Sequence, residues 1–62
     1  MMTVHDRKVA LLQRRITVAV LAQRASCSPQ LIRAVILERE KSRRIRKVIA
    51  RAMGKTLAEA FG

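Results

Sequence analysis

The stretch Thr17-Val-Ala-Val-Leu-Ala-Gln-Arg-Ala-Ser-Cys-Ser-Pro-Gln-Leu-Ile-Arg-Ala-Val35 decides the fold. Read with a helical period, it breaks once, at Ser26-Cys27. Ahead of the break, Val18, Leu21, Ala22 and Ala25 recur at i, i+3, i+4 and i+7, which is one face of a helix with Thr17 as its N-cap. Beyond the break, Ser28 supplies a cap oxygen for free backbone N–H groups. Pro29 suits the first helical position, where no amide donor is needed. Ile32, Val35 and Ile36 then carry an inward stripe. Two short helices joined by a tight turn are expected here.

The same logic works outward in both directions. A first helix is expected from about Val4 to Arg15, opened by a capping box at Thr3-Val-His-Asp6, with Val9, Leu12 and Ile16 pointing inward. The helix begun at Pro29 runs to about Leu37. Glu38-Arg-Glu-Lys-Ser42 is a charged connection whose last residue caps a fourth helix, Arg43 to Met53. Its stripe is Ile45, Val48, Ile49 and Ala52, and Gly54 stands where a left-handed residue ends a helix. A second capping box, Thr56-Leu-Ala-Glu59, opens a short fifth helix with Leu57 and Phe61 one turn apart. No hairpin dipeptide such as Asn-Gly or Asp-Gly occurs. The expectation is an all-α, compact bundle of four to five short helices, one domain over residues 3–61, with Met1-Met2 outside the fold.

Composition narrows the function. Sixty-two residues bury only about 60% of the surface of the unfolded chain, so the core leaves a small stability surplus and little room for a catalytic pocket. No nucleophile–base pair and no phosphate-cradling glycine loop is visible, so no enzyme, small-molecule substrate or cofactor is expected. His5 has no second ligand at metal spacing, and Cys27, the single cysteine, is expected as a packed thiol in the turn. Arg14-Arg15, Arg24 and Arg33 interrupt every apolar stretch, and no secretory signal is seen, so a cytoplasmic protein without a membrane span is expected. Fourteen Lys and Arg face four Asp and Glu, a net charge of +10, and ten of the fourteen are Arg. Such a field draws polyanions, with nucleic acid the first candidate and an anionic membrane the second. The absence of Trp, the single Phe and the defined caps speak against a surface-active membrane helix.

From about Val9 to Phe61 the chain resembles the Cro/CI-type helix-turn-helix DNA-binding proteins of phages and mobile elements, the lambda-repressor-like group. The resemblance rests on Leu21-Ala22, on Ala25, on Cys27 in a slot usually held by Val or Thr, and on Ile32 and Val35 in two buried slots. The tail Val48-Ile-Ala-Arg-Ala-Met-Gly-Lys-Thr-Leu-Ala-Glu-Ala-Phe61 looks like the last two helices of that family, and the Ner-like regulators share a similar ending. Three features depart from the pattern. Ser26 replaces the usual turn Gly, at a cost of about 1 kcal/mol in a left-handed conformation. Arg14-Arg15 replaces a common Gly at the first joint. Leu31-Ile-Arg-Ala-Val-Ile-Leu37 holds one polar residue, few for a helix that reads bases.

The resemblance implies that the start of the third helix enters the major groove of double-stranded DNA. Base contacts then fall to Ser28, Pro29, Gln30, Arg33 and Ala34, with Gln30 suited to a two-pronged bond with adenine. Phosphate contacts fall to Thr17, Gln23, Arg24, Arg39, Lys41, Arg43 and Arg44. A homodimer on a palindrome is implied, with Ile36, Leu37, Leu57 and Phe61 as interface residues. The implied activity is transcriptional regulation, as a repressor at an operator on the nucleoid of a bacterial host. Competing expectations are an excisionase-like factor that bends DNA and an antitoxin-like adaptor whose apolar third helix docks on another protein.

Overall fold

The computed structural model describes residues 1–62 and contains five helices and no strand. They are α1 (Val4–Gln13), α2 (Val18–Ala25), α3 (Pro29–Ile36), α4 (Arg43–Ala52) and α5 (Leu57–Phe61). Helices this short are marginal alone in water, so caps and packing decide them. Each begins on a hydroxyl: Thr3, Thr17, Ser28, Ser42 and Thr56. These oxygens accept the N–H of Asp6, Val20, Leu31, Ile45 and Glu59 at 3.1–3.4 Å. Both capping boxes are closed, with the Asp6 and Glu59 carboxylates accepting the Thr3 and Thr56 N–H at 3.0 and 2.9 Å.

The first four helices end alike. A left-handed residue follows each: Arg15 (φ 54°), Ser26 (φ 53°), Glu38 (φ 62°) and Gly54 (φ 71°). Its N–H bonds back three residues, and the next N–H bonds back five: Ile16 to Leu11, Cys27 to Ala22, Arg39 to Ala34 and Lys55 to Ala50, at 2.8–3.0 Å. This pairing satisfies carbonyls that a helix end otherwise leaves free. Only Gly54 takes that conformation without a Cβ penalty. Ser26 is left-handed, as its place in the turn predicts, and Arg15 and Glu38 join it. The left-handed Arg15 ends α1 at Gln13, two residues before the sequence expectation. α3 and α4 each stop one residue early, with Leu37 and Met53 as C-caps.

Leu21, Ile32, Val35, Ile45 and Ile49 have no exposed surface and form the centre where α2, α3 and α4 meet. Ala22 and Ala25 keep the α2 side of that centre thin. Ile36 and Phe61 belong to this core at 4% exposure each, so neither is available to a dimer interface. Cys27 and Ile16 pack on the core from the two turns, the place where an apolar residue follows a left-handed cap. Met2 also joins the fold: its N–H donates to the Glu59 carbonyl at 3.1 Å and its side chain packs on the core.

α1 is rotated from the expected register. Leu12 is 76% exposed, whereas Leu11 and Arg7 are buried. The cause is Arg7, which sits one turn before Leu11 and takes a place on the inward stripe. Its Nε donates to the Ala60 carbonyl (2.8 Å), its Nη1 to the Ile36 carbonyl (3.1 Å) and its Nη2 to Glu38 Oε1 (3.2 Å). The guanidinium carbon lies 4.3 Å from the centre of the Phe61 ring, within cation–π reach. One side chain thus ties α1 to the ends of α3 and α5.

Three outcomes follow for stability. Truncating Arg7 strands the buried Ile36 and Ala60 carbonyls, at about 1–3 kcal/mol each, against a total of about 3–9 kcal/mol for a chain of this size. Arg7→Ala should therefore be largely unfolded at room temperature in urea titrations that leave the wild type folded. Ser26→Gly and Arg15→Gly should each stabilise by about 0.5–1 kcal/mol, a rise of a few degrees in Tm by thermal circular dichroism. The backbone N–H of Thr3 holds the Asp6 carboxyl below the ordinary carboxylate range, and that of Thr56 does the same for Glu59, each helped by the hydroxyl. Folding therefore favours the ionised form. This contribution is complete at neutral pH and disappears as acid titrates the two carboxyls through their lowered pKa values. The Thr3→Ala/Thr56→Ala variant should melt lower than wild type at neutral pH and show a smaller drop in Tm on acidification.

Candidate nucleic-acid interface

α3 is fixed in rotation by Ile32, Val35 and Ile36, which are sealed into the core. Its other face follows by the helical period. Ser28 and Pro29 at its start, and Gln30 and Arg33 along it, are exposed, and Ala34 is half-buried. Leu31 packs against the core from one edge. This resolves the scarcity of polar residues in α3: part of its apolar surplus completes the interior. Eight residues span about 12 Å, comparable to the width of a major groove. Ser28 Oγ accepts the Leu31 N–H, which leaves its hydroxyl proton to donate outward.

The turn that presents α3 is held by α4. Arg44 Nη1 donates to the carbonyl of Ala25, the last residue of α2, at 2.6 Å. This short, charge-assisted bond pins the start of α4 beside the turn. Arg44, expected on phosphate, is thus in part a positioning residue. Thr17 Oγ1 caps α2 and its residue is exposed, as are Gln23 and Arg24 on the same helix. Arg39, Lys41 and Arg43 are exposed on the α3–α4 connection and the first turn of α4. The connection is not a free loop, because the Arg39 and Glu40 N–H groups donate to the Ala34 carbonyl at 2.8 and 3.2 Å. Arg46 lies instead against Phe61, 5.1 Å from the ring centre, with its Nε buried and unpartnered.

The structure brings some expected residues together and separates others. Thr17 and Arg33 share the edge of an apolar groove of about 470 Å³ between α1 and α3, which Leu12 and Leu37 also line. Arg24 and Arg44 share a second concavity on the other side of α2, with Leu57 in its wall. Of the four residues expected at a dimer interface, Ile36 and Phe61 are core, and the half-buried Leu37 and Leu57 lie on these two separate grooves. Sequence reasoning missed Arg7 and the second concavity. The one local signal for Arg7 is its i, i+4 spacing from Leu11, and an arginine at that spacing ordinarily lies on a solvated face.

Charge is unevenly spent. Asp6 and Glu59 close capping boxes, and Glu38 pairs with Arg7. Glu40 is the acid left exposed without such a task. All four carboxylates are exposed, yet the cations outnumber them, so the outer surface is strongly net positive. No group of three His, Cys, Asp or Glu side chains is placed to hold a metal ion, and no helix is long and apolar enough to cross a membrane.

Comparison of the chain with protein-family models, with curated proteins and with solved structures gives no match.

Proposed function

We propose that this protein is a sequence-specific DNA-binding regulator that inserts the start of α3 into the major groove and represses by occupying its site. The observation that carries the reading is the division of α3. Its Ile32, Val35 and Ile36 face is locked inside, while Ser28, Pro29, Gln30 and Arg33 stand exposed at the tip that follows a pinned turn. Gln30 offers an amide whose donor and acceptor match the N7 and N6 of adenine. Arg33 matches guanine or a phosphate. The cations around this tip, Arg24, Arg39, Lys41 and Arg43, are exposed. They supply the sequence-independent, salt-sensitive part of the affinity. The resemblance to Cro/CI-type proteins supports the same assignment and implies two copies on an inverted repeat.

Selection of binding sites from a random duplex pool, followed by titration at two salt concentrations, tests the proposal. Gln30→Ala should lose about 1–3 kcal/mol on the selected duplex and little on a random one. Lys41→Ala should weaken both alike and lower the salt slope by about one. Arg44 is unsuited to this comparison, because removing it frees α4 from the turn. Equal losses for Gln30→Ala on both duplexes, or a pool that never converges, would overturn the reading. The selected site also reports assembly, since an inverted repeat with half-sites about one helical turn apart requires two copies.

A further inference from the structure

We infer that the basic cleft between α2, α4 and α5 is a docking site for an acidic amphipathic segment of a partner protein, distinct from the α3 face proposed to read DNA. The cleft has a volume of about 760 Å³. Its rim carries five cations, Arg24, Arg44, Lys47, Arg51 and Lys55, and no carboxylate lines it. Its apolar wall is made by Val48 and Leu57, both half-buried, and by the buried Ala52. No residue of α3 takes part, and of the cations proposed around its tip only Arg24, at the edge of the rim, is shared.

Charge and shape together select the occupant. Lys47 and Arg51 are spaced i, i+4 on α4, and Arg44 and Lys47 i, i+3, so like charges stack along one helix edge, an arrangement that destabilises an isolated helix by a few tenths of a kcal/mol per pair. No carboxylate lines the cleft; Glu59, exposed in its capping box, reaches only Lys55 at its edge, and Glu38 is paired with Arg7. The cleft thus presents a strongly net positive rim over an apolar floor. A phosphodiester strand satisfies the rim but offers only the small, polar-flanked carbons of its sugars to Val48 and Leu57. A helix with leucine-type side chains at i, i+3 and i+4, flanked by Glu or Asp, satisfies both. The rim then steers the encounter and the floor gives the bound state its lifetime. Because α3 is outside the cleft, such a segment can bind while Gln30 and Arg33 remain free.

The test uses the full chain and a fluorescein-labelled synthetic Glu/Leu helix of about 18 residues, some five turns. A permuted isomer of identical composition spreads its leucines around the helix. Anisotropy is read at about 0.15 M salt, where surface attraction is damped beyond roughly 8 Å. The periodic peptide should bind saturably and at least about tenfold more tightly than the permuted isomer, a difference of about 1.4 kcal/mol. Lys47→Ala/Arg51→Ala/Lys55→Ala, which also relieves the crowding on α4, should lose about tenfold or more on the peptide. Its affinity for a random duplex should change much less, and protein saturated with duplex should still take up peptide. Lys47→Glu is a second variant that should weaken peptide binding in the same direction. Equal binding of the two isomers would overturn the proposal in favour of charge attraction alone. Equal losses on peptide and duplex would overturn it in favour of a DNA-backbone path through the cleft. Undiminished peptide binding by the triple variant would place the contact elsewhere and overturn it as well. The peptide arms contain no DNA, so their failure is separable from failure of the DNA-binding proposal.

Discussion

The fold depends on one guanidinium withdrawn from water. Arg7 belongs to the first turns of the chain, yet its partners lie 29 and 53 residues away, at the ends of α3 and α5. The last carbonyls of a helix have no partner within it, and burying them unsatisfied is costly. Arg7 satisfies Ile36 and Ala60 at once, and Glu38 neutralises its charge. The positive charge also sits against the negative ends of two helix dipoles. A chain of 62 residues has only a modest apolar core to stabilise it. A clamp of this kind therefore carries an unusual share of the cohesion. It also reaches the functional surface. By holding the last turn of α3, Arg7 helps set the rotation of that helix, and hence which of its residues look outward.

Much of the architecture was legible because hydroxyl caps are short-range signals. Thr17, Ser28, Ser42 and Thr56 each announce a helix through a bond made within three residues, and no distant partner can change that. The α2–α3 turn was legible for the same reason: Ser26, between an ended apolar stripe and Ser28-Pro29, had little choice but the left-handed region. α1 was misread because its register is set by long-range partners. Leu12 completes an apolar pattern in the sequence, but the carbonyl groups of Ile36 and Ala60 draw Arg7 inward and turn Leu12 out. Ile36 and Phe61 looked like surplus apolar residues for the same reason. The ring that Arg7 and Arg46 stack against is part of the interior, and only the tertiary fold reveals it.

Net charge alone gives a blurred picture of the surface. Arg7 is consumed by the core, Arg46 by Phe61 and part of Arg44 by the Ala25 carbonyl. The four acids stay exposed, but three of them are tied to helix caps or to Arg7, and they are far outnumbered by the surface cations. Two consequences follow from this one allocation. The tip of α3 is flanked by positive groups, and the far side of α2 opens on a second positive concavity. The same economy of carboxylates that caps the helices and balances Arg7 thus shapes what the exterior can attract.

The bond from Met2 to Glu59 has a topological meaning. It brings the first residues of the chain alongside the last helix, so the two ends emerge side by side, near the end of α3 remote from Gln30. A few added residues suffice to splice residue 62 to residue 1 in a ring. A permuted chain opened in the Glu38–Ser42 segment would instead cut between Arg7's carboxylate partner and α4. Residue 62 is thus a more tolerant place to attach added chain than the α3–α4 connection.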